Sequence, residues 1–144
     1  MKCYFKKLDP NVKLPERNGA AYDLFLPHDV EIDAGETVRI HLGFACKLPE
    51  GYHALVNMRS STWQRWGLCL TNQTGIIDNA YCGDNDEWIL SVYRPNSFKD
   101  YPERIPAETR LAQFRLEQDS PELEFEIVEH LNNVSRGGFG STGD

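Results

Sequence analysis

At 144 residues and 16.5 kDa, the chain is long enough for one domain with a real core and too short for a second unit of ordinary size. Its 40% hydrophobic and 26% charged content is that of a folded domain and argues against disorder. A formal charge of -7 without a lysine or arginine run argues against a broad grip on nucleic-acid backbone, and no apolar stretch approaches a membrane span or secretory leader.

Along the chain, short runs with strand character predict strands at Cys3–Phe5, Ala21–Leu26, Val30–Ile32, Thr37–His41, Gly43–Lys47 and His53–Met58. One or two helical turns are expected at Ser61–Trp66, with a serine as N-cap and Gly67 as terminator. Strand character resumes at Trp88–Tyr93, Ala112–Leu116 and Glu124–Val128, and the chain ends in the glycine-rich SRGGFGSTGD. Gly, Pro, Asn and Asp punctuate this rhythm, which favours an all-β sandwich or barrel over alternating βαβ units. Cys3, Cys46, Cys69 and Cys82 form no CxxC pair and the four histidines no ligand spacing, so reduced, mostly buried thiols and a cytoplasmic protein without protein-held zinc are expected.

Five segments carry candidate chemistry: AAYDLFL at 20–26, RSSTWQRWGL at 59–68, TNQTGIIDNAYCGD at 71–84, RLAQF at 110–114 and RGGFGSTG at 136–143. The third reads as a β-hairpin whose polar groups face a shared cavity. Asp78 is an acid able to take a proton from water or merely to close a turn. Tyr81 reads as a half-buried strand aromatic, and Asn72 as a turn residue or as a donor–acceptor pair for a base edge. Arg59 offers a planar fork of donors for phosphate, joined by the hydroxyls of Ser60 and Ser61.

Together and in order, these segments resemble the five motifs of the homotrimeric dUTP pyrophosphatase family, from position 20 to the C-terminus. The resemblance implies a jelly-roll, β-barrel-like fold with one short helix, spanning residues 1–134, and a glycine-rich flexible lid at 135–144. It implies Mg-dependent hydrolysis of dUTP to dUMP and pyrophosphate by a water that Asp78 activates. Asn72 and the backbone of Gly75 and Tyr81 would read uracil, the Tyr81 ring would pack under the deoxyribose, and Phe139 would stack on the base. Arg59, Ser60, Ser61, Gln113, Arg136, Gly138, Ser141 and Thr142 would hold phosphates, while Asp23 and Arg110 would brace the site. Mg²⁺ would arrive on the triphosphate with its waters, without direct protein ligands. In the implied homotrimer each site takes Arg59, Ser60 and Gln113 from one chain, Asn72, Asp78 and Tyr81 from a second and Phe139 from a third.

The sequence departs from that pattern in Ala80, where many members carry a second aspartate, in the continuation GDNDEW, and in Arg136, which abuts the glycine pair. These departures resemble a bacterial, Firmicute or phage-type subgroup. Two rival readings follow: a dCTP deaminase or bifunctional relative, which needs a glutamate on the strand after the Asp78 segment, and a regulatory protein-binding member using Trp63, Trp66 or Trp88. The acidic cluster Asp84, Asp86 and Glu87 lacks the pattern of a calcium loop.

Overall fold

The computed structural model of the chain describes residues 1–138. Eleven strands and one short helix form among them: β1 (Tyr4–Lys7), β2 (Glu16–Asn18), β3 (Ala21–Phe25), β4 (Val30–Glu31), β5 (Thr37–Lys47), β6 (Tyr52–Met58), α1 (Ser60–Trp66), β7 (Cys69–Leu70), β8 (Gly75–Ile77), β9 (Glu87–Tyr93), β10 (Arg104–Ile105) and β11 (Arg110–Gln118). A four-stranded sheet runs β1-β5-β9-β7, a five-stranded sheet runs β2-β3-β11-β6-β8, and β10 pairs with β4. This is a mostly-β jelly-roll arrangement, and its sheets do not close into a barrel. No helix of the described residues is long and apolar enough to cross a membrane.

Period-two alternation explains the long strands. Trp88, Leu90 and Val92 of β9 turn inward, as do Ala54 and Val56 of β6 and Ala112 and Phe114 of β11. The two layers are joined by a chain of rings: Phe5 stacks on Phe44 at 4.5 Å, Phe44 meets Trp88 at 5.1 Å, Trp88 meets Phe114 at 5.2 Å, and Phe114 stacks on Tyr22 at 5.4 Å. Each such pair is worth about 0.5–1.5 kcal/mol beyond its buried area.

The two strands expected at 37–41 and 43–47 are one, β5, with a register shift against β9 between His41 and Ala45. Gly43 makes the irregularity affordable: its φ is +73°, and a Cβ there would lie 2.6 Å from Val12 and 2.7 Å from Asp9. The N–H of Gly43 donates to Glu87 Oε1 at 2.9 Å, and its carbonyl accepts from the backbone of Leu8 and Asp9.

The helix starts one residue earlier than expected. Its N-cap is Arg59, without a capping side chain, rather than a serine, and it ends as predicted on left-handed Gly67. The buried Thr62 hydroxyl instead fixes α1 to the sheet by donating to the Leu111 carbonyl at 2.6 Å. Residues 124–128 form no strand; Phe125 is 87% and Ile127 100% exposed, so the alternating pattern is laid against no sheet among the described residues. Only Cys46 of the four thiols is buried, and all four are unbridged. Burial, with Cys3 alongside, pushes the Cys46 thiol up to about 12.

Arg94, which sequence reasoning passed over, is buried to 1% exposure. It donates to the carbonyls of Trp66, Ile32 and Pro102 at 3.1, 2.6 and 2.9 Å, joining the end of α1 to two loops. Burial lowers its pKa, opposed by Asp33 and Glu103.

Candidate active site

The outer face of the large sheet carries a polar row. Asp23 of β3 stands opposite Gln113 of β11, which stands opposite Asn57 of β6. Asn57 donates to Thr74 Oγ1 at 2.8 Å, just before β8. Asp23 is fully buried, an expensive place for a carboxylate unless paired. Its Oδ2 accepts from Asn18 Nδ2 at 3.2 Å and from Arg110 Nη1 at 3.3 Å. Arg59 Nε lies 3.1 Å from Oδ1, a charge contact without hydrogen-bond alignment, since no hydrogen bond reaches Oδ1 among the described residues. One buried negative charge thus holds two half-exposed arginines, leaving a local surplus of positive charge beside Gln113 and the serines that open α1.

Segment 71–84 is not a hairpin. β7 pairs with β9 in one sheet and β8 with β6 in the other, so the intervening turn, with Gln73 at φ 61°, carries the chain between layers. That crossing creates a small cavity, about 90 Å³, lined by Asn72, Gly75, Ile77, Trp88 and Leu90 among others. Leu70 also lines a larger cleft, about 750 Å³, which includes Arg59, Asn57 and Thr71. Asn72 and Gly75 therefore line one cavity, and Arg59 borders its neighbour.

Asp78 follows β8 directly and is exposed. Its Oδ1 accepts the Ala80 N–H at 2.7 Å and its carbonyl accepts the Tyr81 N–H at 3.0 Å, so it does close a turn. Oδ2 has no partner among the described residues. Tyr81, 40% exposed, is oriented by its hydroxyl, which donates to the Glu87 carbonyl at 2.9 Å. Neither Asp78 nor Tyr81 lines the two cavities above.

The ladder measures how far apart these groups are. Ile77 pairs with Ala54, so Asp78 lies beside the start of β6, whereas Arg59 follows its last residue, Met58. At about 3.3 Å per residue, roughly 17–20 Å of strand separates the two ends. A single chain does not bring Asp78 and Arg59 onto one phosphate group.

Arg136 and Gly138 are exposed, and Phe139, Ser141 and Thr142 lie outside the described residues. Trp63 is 46% exposed beside Phe98, but Trp88 is a core residue and offers no docking surface. Both Glu87 oxygens are engaged, Oε2 with His41 Nδ1 at 2.7 Å and Oε1 with the Gly43 N–H at 2.9 Å. The described residues contain no group of three or more His, Cys, Asp or Glu suited to a metal ion.

Fold and site together define a class: a mostly-β jelly-roll chain with an arginine-rich polar row on one sheet and an aspartate turn at that sheet's edge. The sequence profile of the dUTPase family matches residues 9–143, and the chain belongs to that family, a family of hydrolases. A prophage-derived deoxyuridine 5'-triphosphate nucleotidohydrolase of Bacillus subtilis is 41% identical over 121 residues, covering 84% of this chain and 82% of that protein. The deoxyuridine 5'-triphosphate nucleotidohydrolase of Cutibacterium acnes is 36% identical, covering 93% and 84%. Among solved structures, the dUTPase of Staphylococcus bacteriophage 80alpha with dUPNHPP superposes with a TM-score of 0.80 at 26% identity, covering 99% of each chain. The dUTPase of phage phi11 of S. aureus, in which a structural Mg(II) ion is coordinated, shares the fold at TM-score 0.75 and 23% identity, covering 92% of this chain and all of that one.

Proposed function

We propose that the chain hydrolyses dUTP to dUMP and pyrophosphate, with Asp78 as the base. The observation that carries this reading is the contrast between its two motif acids: Asp23 is buried and spent on arginines, whereas Asp78 keeps a solvent-facing oxygen on a constrained turn. Asp78 takes a proton from water as the water oxygen bonds to the α-phosphorus. The bond from that phosphorus to the α–β bridging oxygen breaks, and pyrophosphate leaves. Asn72 and Gly75 read the base, and the Tyr81 ring, packed under the sugar, excludes a 2′-hydroxyl.

Arg59, Ser60, Ser61 and Gln113 hold phosphate oxygens, with Asp23 and Arg110 fixing Arg59 from behind. A donor set of guanidinium, hydroxyl and amide groups suits a triphosphate that brings its own Mg²⁺, an ion that prefers oxygen ligands and keeps its waters. When bound, that ion supplies charge neutralisation. Residues 135–144 act as the lid, with Arg136, Gly138, Ser141 and Thr142 on phosphate and Phe139 on uracil.

The strand length between Asp78 and Arg59 supports a site shared between chains. A homotrimer would bring the Asp78 end of one chain to the Arg59 end of another, and the exposed apolar residues of 123–134 supply surface for such assembly. Light scattering should give a mass three times that of the chain; a monomer that remains fully active would rule this out. The unbridged thiols fit a cytoplasmic enzyme.

The decisive assay is chromatography of products from dUTP, dCTP and UTP with Mg²⁺, for wild type and Asp78→Asn. The reading expects dUMP and pyrophosphate from dUTP alone and almost none from the variant. A uracil nucleotide arising from dCTP would establish a deaminase instead.

A further inference from the structure

We infer that Asn79 is a positioning residue for hydrolysis, acting by clamping the Asp78 turn to the turn that opens β6. The inference rests on Asp78 being the base. β8 is only three residues long and lies at the edge of its sheet, and its pairing with β6 ends at Ile77. Beyond that point, the ladder no longer fixes the backbone. A base must hold its place to a fraction of an ångström, and a misplacement near 1 Å can cost about 10²-fold in rate. The turn's own hydrogen bonds, from Ala80 and Tyr81 to Asp78, shape it internally but do not tie it to the body.

Asn79 makes that tie. Its half-buried Nδ2 donates to the Pro49 carbonyl at 2.7 Å and to the Tyr52 carbonyl at 2.9 Å, using both amide hydrogens. Pro49 and Tyr52 are the two ends of one tight turn, closed by the Tyr52 N–H on the Pro49 carbonyl at 3.2 Å, with Gly51 at φ +77°. The same turn receives the Asp119 N–H on the Gly51 carbonyl at 2.9 Å, just where β11 has ended. Asp78 is thereby referenced to a point held by β6, by the exit of β11 and by the side chain next to it. Two carbonyl acceptors demand two donors on a short stem. Among similarly short side chains, asparagine meets that demand, serine offers one hydrogen and ionised aspartate none.

The test compares Asn79→Ala, Asn79→Ser and Asp78→Asn with wild type, measuring kcat for dUTP with Mg²⁺, the Kd of a non-hydrolysable α,β-imido analogue of dUTP, and thermal unfolding. Asn79→Ala should lower kcat about 10- to 100-fold, while the Kd stays within about threefold and the protein remains folded at the assay temperature. Asn79→Ser, with one donor, should fall between Asn79→Ala and wild type and covers the case in which the alanine variant does not fold. A kcat for the alanine variant within about twofold of wild type overturns the clamp, as does a Kd that weakens in step with kcat. A silent Asp78→Asn variant beside an unimpaired Asn79→Ala variant refutes the clamp alone. An active Asp78→Asn variant refutes the base assignment beneath it.

Discussion

On the β3–β11–β6 side of the large sheet, a carboxylate is buried under two arginines; at the β8 edge, another stands in solvent on a turn held by an asparagine. Asp23 is surrounded by ladders on both sides, so its position follows from the sheet itself. Asp78 follows the last ladder pair of a three-residue edge strand, so local hydrogen bonds must do what the ladder does elsewhere. The difference teaches that a fixed electrostatic scaffold suits the sheet's interior, whereas a base that must meet water and substrate suits its margin.

The sharpest way to break this comparison is to neutralise each acid in turn. Asp78→Asn should lower kcat by about 10²–10⁴ and leave the urea-unfolding midpoint essentially unchanged; a large loss of stability would mean that the edge acid is structural after all. Asp23→Asn should do the reverse. It removes the counter-charge of Arg59 and Arg110, and because those arginines can relax toward solvent the expected loss is roughly 1–3 kcal/mol of stability, with a raised KM. Wild-type stability in that variant would show that the pairing contributes nothing net.

Tyr81→Phe probes the edge more gently. Losing the hydrogen bond to the Glu87 carbonyl is worth about 0.5–1.5 kcal/mol, so KM for dUTP should rise about 2- to 10-fold while discrimination against UTP, which depends on the ring, persists. Equal turnover of UTP would remove the ring from sugar selection.

The smallest effect belongs to acid tolerance at Asp29, away from the site. The Ala107 N–H and then Arg104 hold its carboxyl below its ordinary value of 3.8. The folded state therefore favours the ionised form, and the stabilisation is present above that ordinary value and lost as pH falls through the depressed one. Asp29→Asn should leave the unfolding midpoint near neutral pH little changed and flatten its decline as pH falls below 3.8. An unchanged slope would assign the decline to other carboxylates.

Much of this was legible in the residues. The alternation at 53–58, 88–93 and 112–116 foretold β6, β9 and β11, and Gly67 foretold the end of α1. The family resemblance singled out Asp23 and Arg110 as bracing residues, and the two are in contact at 3.3 Å. The two-residue strands β7 and β10 and the polar β2 carry too little pattern to be read without their partners. Residues 124–128 show the opposite failure: the alternation is present, but its apolar side chains stay exposed and the segment pairs with no strand among the described residues, and pattern without a partner does not make a strand. Asn79 and Arg94 escaped because their acceptors are main-chain carbonyls distant in sequence, which no side-chain pattern announces.

The ladder of rings from Phe5 to Tyr22 makes Trp88 a natural optical gauge. Its indole is sealed between Phe44 on one layer and Phe114 on the other, while Trp63 stands 46% open to solvent. Emission from the sealed indole should be blue-shifted and shielded from aqueous quenchers, and coupling among the stacked rings should give a near-ultraviolet dichroic signal. That signal reports the docking of one sheet on the other, so separation of the layers can be followed in real time without attaching any label.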